Sequence, residues 1–309
     1  SSKSLIKFNL IKRLCSSNTA TTDKNMESSL LIEKNGAVTL IGINRPSVRN
    51  AINVETGIKL TEAITEFEED STQSVGVLYG VGGNFCSGYD LKELSDTKTN
   101  IEDIMSLSDG VMGPTRRKIK KPLVCAISGY CVAGGLELAL MCDLRIMEEN
   151  AVLGFFNRRF GVPLIDGGTV RLSKLIGLSR ALDLVLTGRH VYAKEALEFA
   201  LVNRIVATGS CVGQALNLAN SIAKFPQQCI QHDRDSLYFT EYEANSFDEA
   251  MQYEAMTATK DILLESRKGA DKFNQGIGKS GKFYDIKEKE IPDWEKDEIE
   301  REKQQKSKL

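Results

Sequence analysis

Hydrophobic and polar positions change period several times along the chain, and the changes predict alternating strands and helices. Apolar runs at Ser29–Ile43, Ser74–Gly80 and Pro122–Ser128 predict buried strands, and the first run folds into a hairpin at Asn35-Gly36. Asn53–Glu69 carries apolar residues at helical spacing and predicts an amphipathic helix. The recurring order of strand, turn and helix indicates an α/β protein.

The stretch Ser128–Asp143 combines a glycine turn with an acidic residue. Gly134 and Gly135 separate a predicted strand from a predicted helix, and Glu137 lies in the first turn of that helix. The first N–H groups of a helix lack intrahelical acceptors and carry the positive end of the helix dipole, and glycines let an oxygen atom approach them. The pattern predicts an anion-stabilising site beside a carboxylate, with an ordinary strand-to-helix turn as the alternative.

A second glycine-rich turn has the same construction. The stretch Val81–Leu94 leads from a predicted strand through Gly88 and Tyr89 into a helix. Two turns that each present free backbone N–H groups can together form an oxyanion hole.

Downstream of Gly177 the pattern becomes mostly helical. Gln227–Gly269 is predicted as a long helical stretch whose aromatic and Met residues are typical of a core or subunit interface rather than a cofactor pocket. The basic run Arg116–Lys121 fits a solvated helix end better than an RNA-binding surface.

Composition limits the function classes further. The chain has 309 residues, 41% of them hydrophobic, and a net charge of -2, so it has no general attraction for nucleic acid or anionic membranes. No apolar run is long enough for a membrane span, and the seven cysteines include no C-x-x-C pair, which predicts reduced thiols without zinc or disulfides. The context of Gly276–Gly281 argues against a dinucleotide site, and that of His190 and His232 against a serine hydrolase.

Both termini resemble targeting signals. Ser1–Thr22 is basic, rich in Ser, free of acids until Asp23 and amphipathic, as mitochondrial presequences are. The terminal Ser307-Lys308-Leu309 matches a peroxisomal import signal. The predicted location is therefore the mitochondrial matrix, the peroxisome or both.

Several motifs in one order resemble the crotonase (enoyl-CoA hydratase/isomerase) family. They are Asn44–Ala51, Phe85–Glu93, Ser128–Asp143, Asp166–Leu172 and Leu186–Arg189, and the similarity covers Ser29–Phe283. The resemblance implies an α/β spiral of ββα units followed by a helical trimerisation region. Predicted domains are a targeting segment (1–26), the spiral core (27–225), a helical region (226–284) and a charged tail (285–309).

The resemblance also implies a site that binds an acyl-CoA thioester. In such a site the backbone N–H groups of Tyr89 and Gly134 hold the thioester oxygen, and Glu137 is the acid and base. Predicted contacts to the coenzyme A part of the substrate are Arg49, Ser87, Gly88, Asp90, Lys92 and Gly135. Coenzyme A thioester is then the substrate, with no tightly bound cofactor or metal, and a homotrimer or hexamer is implied. Composition and charge, rather than the resemblance, argue against DNA, RNA and membrane partners.

One position departs from the family pattern. Hydratases of the family carry a second glutamate twenty residues after the first, and Asn157 occupies that position here. An amide cannot serve as general acid or base near neutral pH. Asn157 and Asp166 are both kept as catalytic candidates, and Arg158 and Arg159 suggest either a charged acyl chain or a subunit contact.

The expected function is therefore that of a hydratase-like acyl-CoA enzyme. Decarboxylation, dehydration, isomerisation or thioester hydrolysis through the same enolate are alternatives, as is a protein that binds CoA or RNA without catalysis.

Overall fold

A computed structural model of the protein describes residues 28–96, 102, 104 and 106–278. They fall into two compact units, whose boundary in the sequence lies between Asn220 and Ser221. The predicted presequence, the charged tail from Asp285 with its terminal tripeptide, and the end of the Gly276–Gly281 motif lie outside the described residues. The domain limits drawn from the sequence remain predictions.

The described part of the first unit alternates strands and helices. Its strands are β1 (Leu30–Asn35), β2 (Val38–Ile43), β3 (Val75–Gly80), β4 (Leu123–Ile127), β5 (Tyr130–Val132), β6 (Leu144–Glu148), β7 (Val152–Gly154), β8 (Val191–Tyr192) and β9 (Arg204–Val206). Its helices are α1 (Val54–Glu69), α2 (Leu91–Ser95), α3 (Gly134–Met141), α4 (Gly168–Ile176), α5 (Leu178–Thr187), α6 (Ala193–Glu198) and the greater part of α7 (Cys211–Ala223).

The strands form two sheets. The larger sheet has the order β1-β2-β3-β4-β6-β9, in which only the β1–β2 pair is antiparallel. The predicted hairpin is confirmed, because Asn35 pairs with Val38 and Gly36 takes a positive φ of 57°. The smaller sheet has the order β5-β7-β8. Successive strands β4 and β5, and likewise β6 and β7, thus contribute to different sheets, as in a spiral of ββα units.

Helix α1 illustrates why the predicted amphipathic segment folds as it does. The side chain of Asn53 caps its first turn by accepting a 3.1 Å hydrogen bond from the N–H of Thr56. Leu60, Ile64 and Phe67 lie on one face and are buried in the core. The helix ends at Glu69, and Asp70 is its C-cap.

Two isolated bridges extend the smaller sheet toward the loops that follow β3. Ile52 pairs with Tyr89 in parallel, and Cys86 pairs with Cys131 in parallel. The sequence offset between Cys86 and Cys131 also separates Tyr89 from Gly134, so the pairing carries the two glycine-rich turns side by side.

The second unit is helical in its described part. The predicted long stretch Gln227–Gly269 is divided into α8 (Gln227–Tyr242), α9 (Phe247–Thr257) and α10 (Lys260–Asn274). Ser246 causes the first break, since its hydroxyl accepts a 3.2 Å hydrogen bond from the N–H of Glu249 and caps α9. Glu249 reaches back to the N–H of Asn245 at 2.8 Å.

The described residues contain no disulfide, no metal-binding cluster and no membrane-spanning helix. The six cysteines in the described ranges are free thiols, and all except Cys229 are buried. Within those ranges no three His, Cys, Asp or Glu side chains are grouped to hold a metal ion. None of the described helices combines the length and apolarity that a membrane span requires.

Candidate active site

A cavity of about 370 Å³ opens in the first unit where the two glycine-rich turns meet. Most of its lining is apolar, and none of the described residues that line it is Lys or Arg. The lining residues are Ser87, Tyr89, Leu91, Leu94, Ile104, Val111, Met112, Ala133, Gly134, Glu137, Phe156, Asn157, Phe160, Gly161, Val162, Pro163, Leu164, Ile165 and Asp166. An apolar cleft with a few converging polar groups is the usual form of a small-molecule site.

Tyr89 and Gly134 each contribute a backbone N–H at this cavity. The N–H of Ile52 donates to the carbonyl of Gly88 at 2.9 Å, and the carbonyl of Ile52 accepts from the N–H of Asp90 at 2.8 Å. The N–H of Tyr89, which lies between them, therefore faces away from Ile52. Gly134 is the first residue of α3, where an N–H has no intrahelical acceptor. Neither N–H has a protein acceptor within the part of the chain that the structure describes.

Gly88 allows the two turns to approach each other. Its φ is 101°, and a Cβ at this position would lie 3.0 Å from the backbone nitrogen of Gly134 and 3.0 Å from Cβ of Ala133. A side chain would therefore separate the two N–H groups, which explains the glycine in physical terms.

Ala133 holds the start of α3 in an unusual conformation. Its φ of 53° and ψ of -127° are sparsely populated by residues with a side chain. Its N–H donates a 2.8 Å hydrogen bond to the carbonyl oxygen of Gly154, and its carbonyl accepts from the N–H of Leu136 at 3.0 Å. These contacts fix the direction in which the N–H of Gly134 points.

Glu137 is 2% exposed and is held by backbone donors. Its Oε1 accepts hydrogen bonds from the N–H of Gly168 at 2.8 Å and from the N–H of Asp166 at 3.0 Å. Burial is the main reason that the pKa of Glu137 is raised to about 7, with the negative charge of Asp166 adding to it and the two backbone donors opposing it. A carboxyl group with a pKa near neutrality can both take up and release a proton.

Asp166 is buried against residues 106–115, which are called the cavity loop below. Its Oδ1 accepts hydrogen bonds from the hydroxyl of Thr115 and from the N–H of Met112, the latter at 3.3 Å. The guanidinium of Arg171 donates to the carbonyl oxygens of Asp166 and Thr115, at 3.1 and 2.6 Å. The same residue therefore supports Glu137 through its N–H and anchors the cavity loop through its carboxylate.

Asn157 lines the same cavity and is 6% exposed. Its Nδ2 donates a 2.7 Å hydrogen bond to the carbonyl oxygen of Val162. Its Oδ1 is buried and has no hydrogen-bond donor among the described residues. The five catalytic candidates from the sequence thus all line one cavity.

The candidates for CoA contacts are placed less uniformly. Ser87 lines the cavity and Gly88 underlies it, whereas Arg49 and Lys92 are exposed outside the lining. The guanidinium of Arg49 lies 5.4 Å from the ring centroid of Tyr130. The carboxylate of Asp90 caps α2 by accepting from the N–H of Lys92 and pairs with Arg45 at 3.1 Å.

Gly135 has a packing role in this geometry. A Cβ at Gly135 would collide with the carbonyl group of Cys86, because α3 starts directly against the backbone of Cys86.

The arginines after Asn157 do not line the cavity. Arg158 donates a 3.1 Å hydrogen bond to the carbonyl of Val185, and the guanidinium of Arg159 stacks 4.3 Å from the ring centroid of Phe156. Both side chains are exposed and neither lines the cavity. A charged acyl chain, suggested by this arginine pair, therefore finds no partner in either of them.

Three side chains of the basic run Arg116–Lys121 make contacts within the protein. Arg116 donates to the carbonyl of Ile165 at 2.9 Å, and Arg117 pairs with Glu68 at 2.7 Å. Lys121 is buried and donates to three backbone carbonyls around the end of α1. These three side chains therefore stabilise the fold and do not form an open basic surface.

Sequence reasoning missed the residues that hold Glu137 in place. The motif Asp166–Leu172 carries part of the family resemblance, but nothing in its sequence shows that the N–H groups of Asp166 and Gly168 bind the carboxylate. Thr115 belongs to none of the sequence motifs, and it meets Asp166 only in the folded protein. The glycines at 167 and 168 are the one sequence signal that a close backbone approach occurs there.

Comparisons with known proteins agree with this geometry. The model of the enoyl-CoA hydratase/isomerase family matches residues 33–294. The chain belongs to that family. A short-chain-enoyl-CoA hydratase of Clostridium acetobutylicum is 34% identical over 259 residues, which cover 78% of this chain and 96% of the relative. A probable mitochondrial enoyl-CoA hydratase of Dictyostelium discoideum is 33% identical over 66% of this chain and 73% of its own length.

Solved structures of the enoyl-CoA hydratase/isomerase family superpose on the chain. An enoyl-CoA hydratase of Mycobacterium tuberculosis H37Rv matches with a TM-score of 0.73 and 30% identity, over 81% of this chain and 96% of that protein. The predicted crotonase fold is confirmed by this match, and the chain is an enzyme of the hydratase/isomerase type.

Proposed function

We propose that the protein adds water across the double bond of an enoyl-CoA, with Glu137 as its acid and base. The observation that carries the proposal is the buried Glu137 carboxyl, which is fixed through Oε1 by two backbone N–H groups and has a pKa raised to about 7. It lines an apolar cavity that also contains the N–H groups of Tyr89 and Gly134. Family membership supports a CoA thioester as the substrate, without a tightly bound cofactor.

The two N–H groups take the thioester oxygen in this proposal. Addition at the β carbon makes an enolate, so negative charge develops on that oxygen and is stabilised by the donors of Tyr89 and Gly134. Preorganised donors of this kind contribute about 3 kcal/mol each to lowering the barrier. The dipole of α3 adds to the effect of Gly134.

Glu137 moves one proton in a balanced sequence. Its carboxylate removes a proton from water as the oxygen forms a bond to the β carbon, and the π electrons move onto the thioester oxygen. The resulting carboxylic acid then delivers that proton to the α carbon, and the thioester carbonyl forms again. Asn157 cannot exchange a proton near neutral pH, so the route uses a single carboxylate.

The lining favours an uncharged acyl chain. The side chains of Leu94, Ile104, Val111 and Met112 present hydrocarbon to the cavity. A charged acyl group would lose its hydration there without gaining a partner of opposite charge. Exposed Arg49 and Lys92 are proposed as contacts to the CoA phosphates, and a higher KM with unchanged kcat in Arg49→Ala tests the former.

Assembly and location are proposed from an exposed apolar stripe and from the two terminal motifs. Leu178, Leu182 and Leu186 form an exposed stripe along α5, which supports burial of this face in a homotrimer or hexamer. Sedimentation equilibrium tests the oligomer. A mitochondrial relative and the two terminal motifs support the matrix, the peroxisome or both. Imaging of fluorescent fusions with each motif deleted tests the location.

A panel of CoA thioesters tests the reaction. Crotonyl-CoA, malonyl-CoA and butyryl-CoA report hydration, decarboxylation and thioester hydrolysis, respectively, and 3-butenoyl-CoA reports isomerisation. We expect conversion of crotonyl-CoA to 3-hydroxybutyryl-CoA as the fastest reaction. Faster turnover of any other thioester, or no turnover of crotonyl-CoA, contradicts the proposal.

A further inference from the structure

Several polar side chains that line the cavity already form hydrogen bonds within the protein. The hydroxyl of Ser87 donates to the carbonyl of Val48 at 3.2 Å, and the hydroxyl of Tyr89 donates to Glu93 at 2.7 Å. Asp166 accepts from Thr115 and from the backbone of the cavity loop. A ligand that enters the cavity finds most of these side chains occupied.

Asn157 differs from Ser87, Tyr89 and Asp166. Its Nδ2 is committed to the carbonyl of Val162 at 2.7 Å, while its buried Oδ1 has no donor within the described residues. Exchanging the two amide atoms would set Oδ1 against that carbonyl oxygen, so the hydrogen-bond network fixes the orientation of the amide. A buried acceptor without a donor carries a free-energy penalty, which a donor on a ligand removes.

The reaction supplies such a donor. Water must be held by at least two polar partners in an apolar site, and Glu137 accepts only one of its hydrogens. After addition, the oxygen remains at carbon 3 of the product as a hydroxyl, which is both donor and acceptor. With its Nδ2 committed, Asn157 can only accept, so it matches the second hydrogen of the water and the hydroxyl hydrogen of the product.

We propose that Oδ1 of Asn157 accepts a hydrogen bond from the oxygen at carbon 3, first in the water and then in the hydroxyl. The site consequently selects 3-hydroxyacyl-CoA over saturated acyl-CoA of the same length. This inference rests on the proposed hydration site and adds its preference for hydroxylated ligands.

Binding without turnover tests the inference. In a Glu137→Gln protein, the affinities for 3-hydroxybutyryl-CoA and butyryl-CoA are measured by calorimetry. We expect the hydroxylated ligand to bind about tenfold more tightly, the value of one buried hydrogen bond. Adding Asn157→Leu, which is close in shape but has no acceptor, is expected to bring the ratio near one while butyryl-CoA binding persists.

A second variant guards against misfolding. Asn157→Asp keeps both the size of the side chain and an acceptor oxygen, and it is expected to retain the preference for 3-hydroxybutyryl-CoA. A ratio near one in the protein with Asn157, or loss of the preference in the Asp variant, overturns the inference. A ratio that Asn157→Leu leaves unchanged overturns it as well.

Failure of this inference is distinguishable from failure of the proposed reaction. Turnover of crotonyl-CoA by the unaltered protein without any hydroxyl preference overturns the role of Asn157 alone. A hydroxyl preference that depends on Asn157, in a protein that hydrates no enoyl-CoA, overturns the reaction and leaves the hydroxyl-binding site standing.

Discussion

The N–H of Gly168 donates a 2.8 Å hydrogen bond to Oε1 of Glu137. This contact, together with the N–H of Asp166, occupies one oxygen of the carboxyl group and fixes its rotamer. The hydrogen bonds also limit the rise in pKa that burial causes, because they favour the charged form. The result is a carboxyl group that changes protonation state near neutral pH.

The pH dependence of the rate follows from that position. Hydration requires the carboxylate form of Glu137, so kcat/KM for crotonyl-CoA should rise with pH and level off, with a midpoint near the pKa of about 7. Dehydration of 3-hydroxybutyryl-CoA starts from the same carboxylate, which removes the α proton and returns it to the departing hydroxyl, so its kcat/KM should rise across the same pH range. Initial rates between pH 5 and 9 in both directions check this, and a kcat/KM for hydration that does not rise between pH 5 and 8 would contradict it.

Stability should depend on pH in the opposite sense to a salt-bridged acid. The folded pKa of Glu137, about 7, lies above its ordinary value of 4.5, so the folded state binds more protons than the unfolded state between these values. The free energy of unfolding therefore falls as pH rises from 4.5 to 7. The loss is at most about 3 kcal/mol, at 1.36 kcal/mol per pKa unit.

Glu137→Gln should remove this loss. The amide keeps an acceptor oxygen for Gly168 and Asp166 but carries no charge. Urea unfolding at pH 8 should show a higher free energy of unfolding for the Gln protein, whereas at pH 4 the two proteins should be similar. Equal stabilities at pH 8 would show that burial does not disfavour the charged carboxylate.

Gly88→Ala tests the approach of the two turns. The new Cβ would meet the backbone nitrogen of Gly134 at 3.0 Å and push the two donors apart. We expect kcat to fall by about 100-fold, the effect of losing one oxyanion donor. Gly83→Ala is the matched control, since its φ of 83° imposes a similar backbone strain but no atom lies within 4 Å of its Cβ. Equal kinetics in the two variants would refute the role of Gly88.

Thr115→Val tests the anchoring of the cavity loop. The variant keeps the shape of the side chain but removes the hydroxyl that donates to Asp166. We expect a loss of about 1 kcal/mol in stability, and also a lower kcat, because Asp166 positions Glu137. Thr61→Val is the control, since its hydroxyl donates to the carbonyl of Gly57 within α1, outside the cavity. A kcat that changes no more in Thr115→Val than in Thr61→Val would limit Thr115 to a structural role.

Local patterns predicted the elements that depend on short-range physics. The Asn35-Gly36 hairpin and the helix capped by Asn53 were visible because turn and cap chemistry lies in neighbouring residues. The three-residue strand β5 was missed because Tyr130–Val132 is too short to show a period. The division of the helical stretch at Ser246 was missed because its apolar residues continue across the cap.

The site divides in the same way. Gly134 and Glu137 could be proposed from sequence because a glycine pair and an acid at a helix start carry a local meaning. Thr115 could not, since it lies far from Asp166 in the chain and meets it only after folding. The unpaired oxygen of Asn157 was likewise hidden, because it depends on how the amide meets the carbonyl of Val162.

The most direct test compares crotonyl-CoA hydration by the unaltered protein and by Glu137→Gln. We expect the unaltered protein to form 3-hydroxybutyryl-CoA, and we expect the Gln variant to lose at least about 100-fold in kcat while it still binds butyryl-CoA. Full hydration activity in the Gln variant, or none in the unaltered protein, would contradict the proposed function.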